Sequence, residues 1–385
     1  MGKPYRMEIE FMRAFAIVAV ILIHATGLVF SQLPAEVSSY PVYFFLNIFS
    51  SFAVPVFIFI SGFSFYYTYQ DTEMTGAAAK LFYKKRLTAI AWPYSIFAVL
   101  YFVILCRDYT FPKTLITFAY QFLTGRTYTP LYFIFVIVQF YLIFPLLIRL
   151  LKTKAFSRYL WVTGLLLKAG YFLINKFYIA HLSFLPNLFH RTGSIFVSYI
   201  AYFCIGGYVA LHYERILAAG KRLSRKFVLF ALWLAAGSIL VWLYYVGQVR
   251  HHWLDSAVYE SVQVLFSLLS AFELLLLSRL VLNRTELMAK LLTSLGVCSL
   301  GIYYVHPLVL LLYRKIPLPE SMIGYHLYYF FQFGCALAVS WGLTGLIAGK
   351  VRGGAKLIGV SDRRKKAPLA STTGLHAPVG GSQVG

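Results

Sequence analysis

Ten runs of about twenty predominantly apolar residues recur along this chain of 385 residues. A helix rises about 1.5 Å per residue, so each run matches a hydrocarbon core of about 30 Å. The runs predict spans over roughly 9–31, 42–67, 87–107, 130–150, 159–179, 195–212, 227–247, 260–281, 294–313 and 326–348. In lipid every backbone polar group must be satisfied internally, which leaves helices for segments of this kind. The expected fold is all-α: a polytopic integral membrane protein of about ten transmembrane helices. With 12% charged residues and a mean hydropathy of +0.71, the chain departs from soluble domains, which carry about 25% charge.

The net charge of +22 does not indicate a nucleic-acid partner, because the bases lie in short stretches between apolar runs. The alternate connections that include both termini hold 26 Lys and Arg, against 8 in the opposite set, with Lys168 inside a span. Basic residues gather on the cytoplasmic side, so both termini are expected there. Residues 1–349 read as one membrane domain, and 350–385 as a basic, then Pro/Gly/Ser-rich and disordered cytoplasmic tail. Cys106, Cys204, Cys298 and Cys335 fall in or beside apolar runs, read as buried packing residues, and suggest neither disulfides nor a metal site.

The first run, MEIEFMRAFAIVAVILIHATGLV from Met7 to Val29, retains Glu10, Arg13 and His24. Because Glu10 and Arg13 enter it and no small-residue cleavage site follows, it is not read as a removable signal peptide. Eleven residues are about three helical turns, so Arg13 and His24 share a face about 16 Å apart, with Glu10 placed to pair with Arg13. One such residue can be satisfied by a neighbouring helix or by water. Three on one stripe favour a functional site, since ionisable groups in lipid are costly.

Further stretches carry possible chemistry. VPVFIFISGFSF holds Ser61-Gly62, where close helix packing is the simpler reading and a nucleophilic or cavity-lining Ser61 the bolder one. FYKKRLTAIAWPY sets Lys84, Lys85 and Arg86 at the cytoplasmic end of the third span, as lipid anchors or as a cradle for donor phosphates. SLGVCSLGIYYVHPLVLLLY places Ser299, Tyr303 and His306 on one face. His306 is expected at the depth of His24, and the two could line a shared cavity where histidine accepts and returns a proton. A third ligand for a metal is not evident at that level. Lys168 receives no catalytic role, because a lone lysine can snorkel.

In order, RMEIEFMRAFAIVAVILIH, VPVFIFISGF, FYKKRLTAIAWP, YFCIGGYVA and SLGVCSLGIYYVHP resemble the landmarks of the family-3 membrane acyltransferases. The Arg13–His24 spacing and the closing Tyr303-x-x-His306 are the most specific of these. Glu10 stands where the family usually has Asp, and Ala89 where many members have a second Arg. The resemblance implies about ten helices, an acyl-CoA donor (acetyl-CoA for an acetyltransferase) bound from the cytoplasm, and essential roles for Arg13 and His24. No bound cofactor or metal is expected.

The function expected from the resemblance is O-acyl transfer, with acetyl as the group moved, to a hydroxyl of a cell-surface glycan or lipid-linked saccharide. Its setting would be a multi-pass location in the cell membrane, in keeping with a bacterial plasma membrane. Here His24 would be the general base, and less simply an acyl carrier. Arg13, held by Glu10, would contact the donor or orient His24 through solvent, while His306, Tyr303, Ser299 and Ser61 would line the acceptor cavity. Two other readings stay open: an exporter or flippase for a polysaccharide or lipid-linked sugar, and a non-catalytic membrane partner of glycan synthesis.

Overall fold

A computed structural model describes residues 4–105, 111–150, 154–179, 182, 192–219, 222–282 and 285–360. Among these every regular element is a helix. Helix α1 is Met7–Thr26, and the second apolar run folds as α2 (Tyr40–Phe49) and α3 (Ala53–Tyr69) across a 3-10 turn at Ser50–Phe52. Next come α4 (Gly76–Leu105), α5 (Phe111–Thr124), α6 (Tyr132–Leu150) and α7 (Lys154–Phe177). The chain continues through α8 (Ile200–Leu211), α9 (Leu223–Arg250) and α10 (Ser256–Leu282). It closes with α11 (Glu286–Tyr313) and α12 (Met322–Lys350).

Among the described residues, eight segments are long and apolar enough to cross a membrane: α1, the α2–α3 pair, α4, α6, α9, α10, α11 and α12. The chain is an all-helical, multi-pass membrane protein. The other two expected spans coincide with α7 and with the shorter apolar stretch Phe196–Leu211. Lys154, Arg158, Lys168 and Lys176 lower the hydropathy of α7. A helix not anticipated from apolar run length is α5; its 14 residues are too few to span. Ile116 and Leu123 are exposed on it, as on a helix lying at an interface.

The packed body reaches past residue 350: Gly354–Leu357 forms a helical turn, and Ile358 and Val360 are buried behind it. The rest of the expected tail, residues 361–385, lies outside the described residues, as does Cys106. Cys204 and Cys298 are free and buried, and Cys335 is free and partly buried.

Helix α1 is the central post, packed against α2, α3, α10, α11 and α12. Partners on so many sides explain why its sequence is apolar nearly all round, with no broad polar face. Glu8 and Glu10 in its first turn oppose the positive end of the helix dipole. Side-chain caps open the last two long helices: Thr285 accepts from the Met288 N–H, and Ser321 from the Gly324 N–H.

Two close approaches fix the bundle. Gly62 of α3 lies under the Phe203 backbone of α8, while Gly206 lies reciprocally under the Phe59 carbonyl. Gly296 of α11 does the same against the Glu10 carbonyl of α1. A side chain at any of these positions collides with backbone, which cannot swing aside. We expect Gly206→Val to destabilise the protein by about 1–3 kcal/mol or more through overpacking, read as a lower melting temperature in detergent. An unchanged melting temperature would show that α3 and α8 do not meet this closely.

Candidate active site

The contact at Gly296 brings α1 and α11 together, and further along the same pair His24 meets His306. Their ring centroids are 5.5 Å apart and their planes inclined by 35°. His306 is fully buried and His24 partly so. The Nδ1 of His306 lies 3.0 Å from the carbonyl of Ile302, one turn earlier. A carbonyl only accepts, so Nδ1 carries the proton, and in the neutral ring Nε2 keeps its lone pair. That Nε2 is buried and has no partner among the described residues. Pro307 follows within the helix and offers no N–H, so the turn around the histidine is locally short of a backbone donor.

Aromatic rings wall the pair on the α11 side. Tyr303 lies with its ring centre 6.1 Å from that of His306, and Phe133 meets Tyr303 edge-on at 5.5 Å. The Tyr303 hydroxyl donates to the Pro130 carbonyl, joining α11 to the start of α6. Its proton is thus occupied with backbone. Tyr101 likewise donates to the Tyr304 carbonyl, at 2.6 Å.

The last turn of α1 is held from outside the helix. Asn47 donates to the Ile23 carbonyl at 2.8 Å and to Thr26 Oγ1 at 2.9 Å. Arg314 donates through Nη2 to the His24 carbonyl at 2.7 Å. A cation suits a helix C-terminus, where carbonyls lack helical partners. His24 therefore projects from a turn whose backbone is fixed at two successive residues.

At the other end of α1, Arg13 Nη1 contacts both carboxylate oxygens of Glu10, at 2.8 and 2.9 Å, and Nη2 donates to Ser64 Oγ at 3.2 Å. Glu10 is 1% exposed. On the same face as Arg13 and His24 lie Ile17 and Val20, both buried. The stripe is thus polar at its two ends and closed by apolar packing between them, and no continuous polar path runs along it.

The other sequence candidates fall at separate places. Ser61 donates its hydroxyl to the Phe57 carbonyl of its own helix at 2.8 Å, the ordinary way a serine is satisfied in a membrane helix. Ser299 is buried on α11, two turns before His306. Lys84 and Lys85 are exposed, whereas Arg86 turns inward, its guanidinium 4.9 Å above the Phe65 ring and 5.8 Å from that of Tyr69. The Arg86 Nε is buried without a partner among the described residues. Among those residues, no group of three or more His, Cys, Asp or Glu side chains is arranged to share a metal ion.

Two features escaped the sequence reading. Arg314 counts there only as a charge between spans, and nothing in the sequence couples it to a residue 290 positions earlier. Lys168 is not a snorkelling lysine: it is buried and ion-paired with Glu260 at 2.5 Å. Glu260 in the eighth apolar run was the available signal, since two opposite charges within spans are candidates to pair.

In comparison with known proteins, a family model described as an acyltransferase domain aligns with residues 7–345, nearly the whole helical body. No curated protein and no solved structure matches the chain.

Proposed function

The chain belongs to the family-3 acyltransferases, and from that premise we propose that it transfers an acetyl group from acetyl-CoA to a hydroxyl of a cell-surface glycan or a lipid-linked saccharide. The observation that carries this reading is the His24–His306 pair, 5.5 Å between ring centres, inside a family of acyl-transfer enzymes. Histidine is the side chain suited to take a hydroxyl proton and return it near neutral pH.

In the proposed reaction, His24, the more accessible ring, accepts the proton of the acceptor hydroxyl. The hydroxyl oxygen attacks the thioester carbonyl carbon. A C–O bond forms, the C–S bond breaks as the tetrahedral intermediate collapses, and the CoA sulfur leaves with the proton returned by His24. His306 positions its neighbour: with Nδ1–H given to Ile302, its Nε2 lone pair can receive an N–H from the imidazolium.

The donor is proposed to enter from the cytoplasmic side, where both termini lie in a bacterial plasma-membrane topology. Arg86, with its unpartnered Nε, and the exposed Lys84 and Lys85 would hold the CoA phosphates. Arg13, kept in place by Glu10, would meet the polar arm of the donor. The acyl group then needs a route past Ile17 and Val20, which implies that α1 and its neighbours part when donor binds.

Two measurements test this function. Cells lacking the protein should lose O-acetyl groups from a surface glycan and regain them with the wild-type chain, but not with His24→Gln. Replacing Lys85 and Arg86 together by Gln should raise KM for acetyl-CoA about tenfold or more and leave that for the acceptor near its original value. Unaltered donor dependence in correctly inserted protein would return these residues to simple membrane anchoring.

A further inference from the structure

A cavity of about 680 Å³ lies at the end of the bundle where α1 terminates, opposite Glu10 and Arg13. Ile23 from α1, Ser51 and Pro55 from the α2–α3 corner, Asn175 from α7 and Gln263 from α10 contribute to its wall. Its size falls within the range of about 300–1,000 Å³ usual for small-molecule sites.

Lys168 and Glu260 also line it. The Lys168 ammonium lies 2.5 Å from Glu260 Oε1, 2.5 Å from the Ser198 carbonyl and 5.4 Å from the centre of the Tyr202 ring. Snorkelling carries an ammonium outward to the headgroups; this one turns inward, to a cavity. Lys176, a second lining residue, pairs with Asp255, and that hydrogen-bonded ion pair holds the exposed Asp255 carboxyl below its usual range. Among the described lining residues each lysine is matched by a carboxylate, so these residues offer an anionic ligand no uncompensated cation.

What the cavity does offer suits a polyol. Tyr171, Tyr199 and Tyr202 supply aromatic surface, and the Ser51 hydroxyl donates to Gln263 at 3.2 Å. Aromatic faces meet the apolar side of a pyranose ring, while amides and hydroxyls exchange hydrogen bonds with its rim. An ammonium beside a carboxylate can grip adjacent hydroxyls, one as acceptor and one as donor.

Neither histidine is among the residues that line the cavity, but two of its wall residues are chain neighbours of the groups around the pair. Ile23 precedes His24. Tyr132 lines the wall, Phe133 beside it packs on Tyr303, and Pro130 accepts the Tyr303 hydroxyl. We propose that this cavity is the acceptor site, that its ligand is a neutral saccharide, and that Lys168 and Glu260 hold the sugar. The assignment of the ligand as an acceptor rests on the transfer reading above.

The test uses the full-length protein in nanodiscs carrying Asn175→Cys. A polar maleimide labels the introduced thiol, with the wild-type chain as background, in the presence of maltose, cellobiose or lactose. At least one disaccharide should slow labelling about tenfold at saturation. Replacing the pair together, Lys168→Met with Glu260→Leu, avoids stranding a buried charge and should abolish that protection in protein of unchanged melting temperature. In transfer assays Lys168→Met should raise KM for the saccharide about tenfold and hold that for acetyl-CoA within about twofold.

Absence of protection by all three sugars overturns the site, as does protection that survives loss of the pair. Acetyl transfer without protection leaves the function standing and removes this cavity from it. Protection in protein that never turns over acetyl-CoA keeps the saccharide site and removes the transfer reading.

Discussion

His24→Ala should lower turnover with acetyl-CoA about 10²–10⁴-fold, the usual loss when a positioned general base is removed. The effect should fall on kcat, with insertion and melting temperature close to wild type. Truncation at this position removes a polar ring and leaves an apolar helix, while the Arg314 and Asn47 contacts are to backbone carbonyls and to Thr26 Oγ1 and survive it. His24→Gln keeps hydrogen bonding without proton transfer and should match Ala. His306→Gln should lose less, because His306 is fully buried and acts through its neighbour. The double variant should lose little beyond His24→Ala, since groups working as one unit are non-additive. Near-native turnover in His24→Gln would remove the base role altogether.

Glu10→Ala should cost the fold about 3–5 kcal/mol, the penalty for stranding one member of a buried ion pair. Glu10 is 1% exposed and holds Arg13 through both oxygens; its loss leaves the guanidinium its hydrogen bond to Ser64 and no carboxylate among the described residues. The expected result is a large drop in melting temperature and in the yield of monodisperse protein. Glu10→Asp retains the charge and should be far milder. Replacing Glu10 and Arg13 together by Leu and Met should recover the melting temperature without recovering transfer. That pattern separates a donor-contacting role for Arg13 from a purely structural one. A Glu10→Ala protein that melts like wild type would show that the pair is not closed in the membrane.

The helical, membrane-spanning body was legible because apolar run length answers directly to bilayer thickness. The limit appears at α7, where four basic residues dilute the signal, and at α5, whose amphipathic 14 residues fall below any spanning threshold. Glu10 and Arg13 could be paired from their spacing, since three residues on a helix are neighbours. That His24 and His306 would lie close followed from their similar depth. Their contact, however, depends on Gly296 admitting the α1 backbone, which is a tertiary fact. Depth and face could not reveal that Ile17 and Val20, between Arg13 and His24 on the same stripe, are sealed by neighbours. Lys168 shows the same limit: its sequence context cannot tell a snorkelling lysine from one paired with Glu260 across the bundle.

Arg86 marks the boundary between pattern and geometry most clearly. In sequence it is one of three adjacent bases; in the fold it leaves the two lysines and lies over Phe65 and Tyr69. A cation above aromatic faces is pre-oriented, and Lys at that position would lose the planar fork. The three bases therefore should not contribute equally to donor binding, with Arg86 the largest.

In the proposed reaction this protein performs acyl transfer with His24 moving the proton. The most direct test is CoA release from acetyl-CoA by purified protein in nanodiscs, which have no compartments and sustain no gradient. With a saccharide acceptor present, free CoA and O-acetylated sugar should appear in equal amounts, and both should be lost in His24→Gln. No CoA release from folded wild-type protein, together with saccharide movement across vesicle membranes by the same protein, would contradict the account and identify a transporter.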